Sequence, residues 1–101
     1  MLFTDWKQHP HRTIPKKLLW EYDIDNFSPS QWKNMSVTVA RRVIELGSRE
    51  DWYALMQLYG GPKKVARIVK RIPEMTALDR NFVKFAFDLK DKDLKCSTIK
   101  P

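Results

Sequence analysis

The feature that most constrains the fold is a helix-start signal followed by apolar residues at helical spacing. Ser28-Pro29-Ser30-Gln31 offers a serine N-cap, a proline at the first helical position and a glutamine three residues after the cap. The apolar positions that follow recur at steps of three and four residues until Gly47: Trp32, Met35, Val39, Val43 and Leu46. This pattern predicts one long helix that begins at Pro29 and ends before Gly47.

Start and stop signals of the same kind recur along the rest of the chain. Ser and Thr caps, a helix-starting proline and glycine or proline stops predict helices over residues 48–59, 62–72 and 76–89. A short helix over residues 16–22 precedes them, and a last turn over residues 91–95 places Leu94 against the body. Strand signals are nearly absent, because the β-branched residues fall at helical spacing. We therefore predict an all-α fold, a compact bundle of four to five short helices with an irregular N-terminal arm.

One domain is expected for a chain of 101 residues. We expect residues 1–16 to form the irregular arm, residues 17–97 the helical domain and residues 98–101 a tail. The arm holds aromatic residues and prolines without a sustained period, so we expect it to dock by its aromatic residues. The inner faces of the helices predict one shared core: Trp32, Val39, Val43, Trp52, Leu55, Ile68, Val69, Phe82 and Phe85.

Composition excludes several classes of protein. Hydrophobic residues make up 43% of the chain and aromatic residues 12%, which is enough for a core and excludes intrinsic disorder. The single cysteine, Cys96, excludes an intrachain disulfide and any multi-cysteine metal site, and it indicates a reducing compartment. No apolar run approaches the roughly 20 residues of a membrane span. We expect a soluble, cytoplasmic protein that contacts no membrane.

The net charge of +7 is concentrated in one predicted helix. Residues 61–75 hold five basic residues against one acidic residue. At about 100° per residue the five basic residues share one arc, opposite the apolar residues of the same helix. We call this arc the basic stripe; its members are Lys63, Lys64, Arg67, Lys70 and Arg71.

The basic stripe admits three interpretations. It can neutralise phosphates as the second helix of a helix-turn-helix, it can meet the acidic surface of a protein, or it can be a solvated face that keeps the chain soluble. The helix lacks Asn and Gln, the usual readers of adenine, and its basic residues are mostly lysine. Contact with phosphate or with protein carboxylates is therefore favoured over base-specific reading.

Aromatic residues are the second group of candidate contacts. Trp20, Tyr22, Trp32, Trp52, Tyr53 and Tyr59 could stack on bases, but side chains of this kind more often pack in a core. Tyr53 lies off the inner face of its helix, and Trp6 lies in the arm. These two are the predicted surface anchors for a partner.

No constellation of residues predicts catalysis. Glu21, Asp23 and Asp25 resemble a divalent-cation site, but no further carboxylates stand at suitable spacing, and turn formation is the better explanation. The only histidines lie in the arm, and with Cys96 they have no metal-ligand spacing. We therefore predict a protein that is not an enzyme and uses neither a metal nor a cofactor.

Several short motifs carry a resemblance that covers about residues 17–97. They are Trp20-Glu21-Tyr22-Asp23-Ile24-Asp25, Trp32, residues 40–47, Asp51-Trp52, Asn81-Phe82 and Leu94-Lys95-Cys96. At these positions the chain resembles a family of small bacterial helical proteins of unassigned function, whose members look as though they are frequently encoded beside nucleotidyltransferase-type abortive-infection toxins. The resemblance implies an antitoxin-like or regulatory role with a nearby toxin as partner. It assigns no functional residues, and the chain lacks the separate winged-helix domain of better understood antitoxins.

Two functional hypotheses follow. The first is a non-enzymatic bacterial interaction module, antitoxin-like or regulatory, that binds a partner protein through the basic stripe, Tyr53 and Trp6. The alternative is a helix-turn-helix-like nucleic-acid-binding regulator that uses residues 63–71. A helix-turn-helix leaves the basic helix protruding, whereas a plain bundle can cover its flanks beneath the C-terminal segment. The oligomeric state stays open.

Overall fold

The computed structural model describes residues 1–94 and 97–99. In this part of the chain five helices make up the body: α1 Pro29–Asn34, α2 Ser36–Leu46, α3 Arg49–Tyr59, α4 Pro62–Val69 and α5 Ala77–Phe87. Short 3-10 turns lie at Lys16–Leu19, Ile24–Asn26 and Asp91–Asp93. Two three-residue strands, β1 Glu74–Thr76 and β2 Ser97–Ile99, pair in parallel. The predicted all-α class is confirmed, and the strand pair is a small addition to it.

The predicted helix starts are made by the expected hydrogen bonds. The backbone N–H of Ser28 donates to Oε1 of Gln31 at 2.7 Å, and the N–H of Gln31 donates to Oγ of Ser28 at 3.2 Å. At α3 the N–H of Ser48 donates to Oδ2 of Asp51 at 2.8 Å. At α5 Thr76 accepts from the N–H of Asp79 at 3.1 Å. These bonds satisfy donors that a helix start otherwise leaves without partners.

The long helix predicted over residues 29–46 is interrupted at Met35. The N–H of Met35 bonds to the carbonyls of Gln31 and Lys33, which ends α1, and the carbonyl of Met35 then accepts from Val39 to begin α2. Three consecutive β-branched residues, 37–39, follow the interruption and weaken a continuous helix. The result is a corner between the two helices, and we call Lys33, Asn34 and Ser36 the α1–α2 corner.

The core lies where α2, α3 and α4 pack on one another, with α5 against α4. Its fully enclosed side chains include Val39, Val43, Leu55 and Val69, and Trp52 is only 6% exposed. Trp32 and Ile68 pack on this cluster while staying partly buried. Seven of the nine predicted core residues lie in the core or pack on it. Of the other two, Phe82 has its ring centroid 5.3 Å from that of the core residue Trp52, and Phe85 is exposed.

The predicted core position of Phe85 is wrong, and Phe82 lies at the edge of the core. Phe85 is 70% exposed, Leu78 79% and Phe82 38%, whereas the buried residues of the helix are Val83, Ala86 and Phe87. The helix carries apolar side chains on two neighbouring arcs, so periodicity does not decide which arc docks. The short extended segment between α4 and α5, which includes Pro73 and β1, limits how α5 can be placed, and the arc of Val83 and Phe87 faces the body.

The N-terminal arm docks on α3, as its aromatic residues predict. The ring of Phe3 stacks on Trp52 with centroids 5.4 Å apart and planes 7° from parallel. A polar layer continues the contact: the Gln57 side chain donates to the carbonyls of His9 and Pro10 at 3.1 Å each and accepts from the N–H of Arg12 at 2.8 Å. Within the described ranges, no helix is long and apolar enough to cross a membrane.

Candidate anion-binding face

Helix α4 is amphipathic, and its apolar side is buried. Gly60 and Gly61 have φ of 93° and 108°, which lets the chain reverse between α3 and α4 within two residues. A side chain at Gly61 would also meet the ring of Trp6, since an added Cβ would lie 3.0 Å from its nearest atoms. Pro62, Val65, Ala66 and Val69 face the core. The basic stripe therefore faces outward.

Members of the basic stripe have no acidic partner in the described part of the chain. Lys63, Lys64, Arg67 and Arg71 are exposed and Lys70 is half-buried, and none of the five forms an ion pair there. The carboxylates of the ion pairs contact cations outside the basic stripe. These pairs are Glu21 with Arg42, Asp25 with Lys16, Glu45 and Glu74 with Arg41, Glu50 with Arg12, Asp88 with the N-terminus, and Asp91 with Lys84 and Arg80. The positive charge of α4 is left uncompensated and attracts anions.

An open groove runs between the α1–α2 corner and α4. Its volume is about 370 Å³, and its lining residues are Lys33, Asn34, Ser36, Tyr59, Lys64, Arg67, Ile68 and Arg71. We call it the basic groove. It brings Lys33, from a different helix, beside three members of the basic stripe. Sequence reasoning missed Lys33 because the interruption at Met35 was not predicted.

Tyr59 holds the two sides of the basic groove together. Its hydroxyl, at the end of α3, donates to the carbonyl of Trp32 at 2.7 Å. Burial raises the pKa of Tyr59 well above its ordinary value of 10.0, so the hydroxyl keeps its proton and remains a donor. The bond ties α1 to the end of α3, immediately before α4. Lys33 is thereby held near α4.

The two aromatic anchors predicted for a partner have structural roles in the arm contact. Tyr53 is only 2% exposed, so its prediction as a surface anchor is wrong. The docked arm covers it: His9 stacks on its ring with centroids 3.7 Å apart, and its hydroxyl donates to Asp5 at 2.6 Å. Trp6 is partly buried, with its ring against Gly61. Helical spacing alone could not reveal that a segment some 45 residues away covers Tyr53.

Glu21, Asp23, Asp25 and His9, which are candidate metal ligands by residue type, are engaged in other contacts. Glu21 accepts from Arg42 at 2.7 Å, and Asp23 accepts from the Asn26 side chain at 2.6 Å. His9 lies 2.9 Å from Glu50, and the hydrogen bond from His9 lowers the pKa of Glu50. In residues 1–94 and 97–99, no group of three or more His, Cys, Asp or Glu residues is placed to hold a metal ion. Cys96 lies outside the described residues.

The remaining aromatic candidates divide between packing and the surface. Trp52 lies in the core, while Tyr59 and Trp32 are partly buried and joined by their hydrogen bond. Trp20 is 78% exposed and Tyr22 38% exposed, beside the first two 3-10 turns. Packing is thus the main role of these rings, and Trp20 is the most exposed of them.

Comparison with known families gives one match. The model of a family of unknown function, DUF6922, matches residues 14–69, more than half of the chain. The chain belongs to this family. The DUF6922 region begins at the buried Ile14 and ends at Val69, the last residue of α4, so it includes every lining residue of the basic groove except Arg71. No curated protein and no solved structure matches the chain.

Proposed function

We propose that the protein is a non-enzymatic interaction module that binds the acidic surface of a partner protein through the basic stripe. The observation that carries the proposal is the uncompensated charge of α4. Exposed cations without acidic partners are free to pair with carboxylates on another molecule. Their field also speeds encounter with an acidic partner, so each stripe residue affects the association rate more than the residence time.

An antitoxin-like or regulatory role in a bacterial cytoplasm fits this mode of binding. The resemblance described above pairs such proteins with nucleotidyltransferase-type toxins. Nucleotidyl-transfer enzymes use paired aspartates to hold divalent cations, so their clefts are acidic. A basic helix is complementary in charge to a cleft of this kind. The toxin encoded nearby is therefore the proposed partner.

Capture of the partner from the native host tests this function. Tagged wild-type protein is expected to recover the neighbouring gene product in stoichiometric amount, and the double variant Lys64→Glu/Arg67→Glu is expected to recover less than one tenth of it. Lys90→Glu/Lys92→Glu is the matched control, because it makes the same charge change at exposed residues beyond α5. If both double variants recovered the same amount of the neighbouring gene product, the basic stripe would not be the surface that binds it.

Nucleic acid is the second candidate partner, and the basic groove favours it. A helix-turn-helix-like arrangement is present in outline, since α3, a two-residue turn and α4 follow one another. The turn is shorter than the three to four residues usual for that motif, and α4 packs on α2, α3 and α5 along its apolar side. The basic side stays open, as binding to phosphates requires.

A further inference from the structure

We propose that the basic groove is a phosphate-binding site that holds the sugar–phosphate backbone of a nucleic acid. The inference rests on the second candidate function and deepens it, because it names the groove and the group that the groove takes. It also adds Lys33, Asn34 and Ser36 to the residues of the basic stripe.

The cations of the groove stand on both of its sides. Lys33 comes from α1, whereas Lys64, Arg67 and Arg71 come from α4 and the turn after it. From Lys64 to Arg71 the chain advances about 10 Å at helical rise, which equals about three base-pair steps along the axis of a duplex. A phosphodiester chain lying in the groove would therefore meet positive charge on either side at neighbouring phosphates.

Neutral hydrogen-bonding groups complete the lining. The Asn34 amide and the Ser36 hydroxyl lie at the α1–α2 corner, and groups of these two kinds commonly contact phosphate oxygens. The apolar side chains of the lining are those of Ile68 and Tyr59, and the hydroxyl of Tyr59 is committed to Trp32. Protein interfaces instead centre on buried aromatic or aliphatic anchors. Cations together with neutral hydrogen-bonding groups suit a polyanionic backbone.

Recognition at this site is expected to be independent of base sequence. Helix α4 has neither Asn nor Gln for reading adenine, and most of its basic residues are lysines. Backbone contacts fix position on a nucleic acid but carry no direct sequence information. Two duplexes of equal length and unrelated sequence should bind with the same affinity.

Fluorescence anisotropy with a labelled 20-base-pair DNA duplex of arbitrary sequence tests the proposal on the full chain. The logarithm of the binding constant should fall linearly with the logarithm of salt concentration, with a slope of about −3 to −4 for four groove cations. Lys33→Gln should weaken binding about fivefold at 50 mM salt and reduce the slope by about one. Lys92→Gln, also exposed but outside the groove, should change neither.

Three results would overturn the inference. They are absence of duplex binding at 50 mM salt, equal slopes for Lys33→Gln and wild type, and displacement of the duplex by polyglutamate at equal charge concentration. A single-stranded RNA of the same length serves as a second probe, and tighter binding of it would assign the groove to single strands. If Lys64→Glu/Arg67→Glu loses the protein partner while the wild type never binds a duplex, this inference fails and the protein-binding function stands.

Discussion

Tyr53 and Asp5 form a short polar contact between the arm and the body. The Tyr53 hydroxyl donates to a carboxylate oxygen of Asp5 at 2.6 Å, and this hydrogen bond lowers the pKa of Asp5. A carboxyl whose pKa is lower in the folded state than in the unfolded state contributes stability above its unfolded pKa. That contribution is lost as the pH falls through the folded pKa. The arm contact is therefore weakened by acid.

Titration of the Asp5 carboxyl by NMR measures this contact directly. In wild-type protein its pKa should lie below the ordinary value of 3.8, and in Tyr53→Phe it should rise toward that value because the donor is removed. Glu50 provides an internal control, since its pKa is lowered chiefly by the hydrogen bond from His9 and should stay low in the variant. An Asp5 pKa that does not change in Tyr53→Phe would show that the hydroxyl is not its partner.

Helix α5 gives the sharpest stability comparison, because it offers the same substitution on its two arcs. Phe87 is 2% exposed and its ring centroid lies 6.0 Å from that of Trp52, whereas Phe85 is 70% exposed. Phe87→Ala should cost about 3 to 5 kcal/mol of unfolding free energy, and Phe85→Ala should change it by about 0.5 kcal/mol or less. Urea unfolding checks both. A larger loss of unfolding free energy in Phe85→Ala than in Phe87→Ala would show that the helix packs by the face that periodicity predicted.

The helices of this chain could be predicted where local chemistry decides them. The caps at Ser28, Ser48 and Thr76 act within three residues of chain, and α4 separates its apolar and basic residues into opposite arcs. Sequence could not decide between the two apolar arcs of α5, because that choice depends on packing against other elements. No glycine or proline lies next to Met35, so the sequence carries no signal that predicts the interruption of the helix there. Lys33 was missed as a consequence.

Ion pairs and unpaired cations are distributed unevenly over the described residues. The arm, the 3-10 turns and α5 hold ion pairs, such as Asp91 with Lys84 and Met1 with Asp88. Exposed ion pairs of this kind contribute at most about 1 kcal/mol each, so their arrangement matters more for the field around the protein than for stability. The basic stripe and Lys33 have no such partner in the described residues, so positive charge accumulates over α4 and the α1–α2 corner. The residues matched by the DUF6922 family include both α4 and the α1–α2 corner.

Two surfaces of the protein compete for the role of binding face. One is the basic groove with the basic stripe, and the other is the exposed apolar arc of α5, formed by Leu78, Phe82 and Phe85. An exposed apolar arc is a frequent site of protein contact. The unpaired cations of the first surface suit an anionic partner. The two surfaces lie on different helices, so residue-resolved measurements can separate them.

The measurement that decides between them is a backbone amide NMR titration of the full chain. The 20-base-pair duplex and the captured neighbouring gene product are added separately, at low salt. We expect at least one of the two to shift the signals of residues 33–36 and 63–71 and to leave those of residues 77–87 in place. Shifts confined to residues 77–87, or no shifts with either partner, would contradict the assignment of α4 as the binding face.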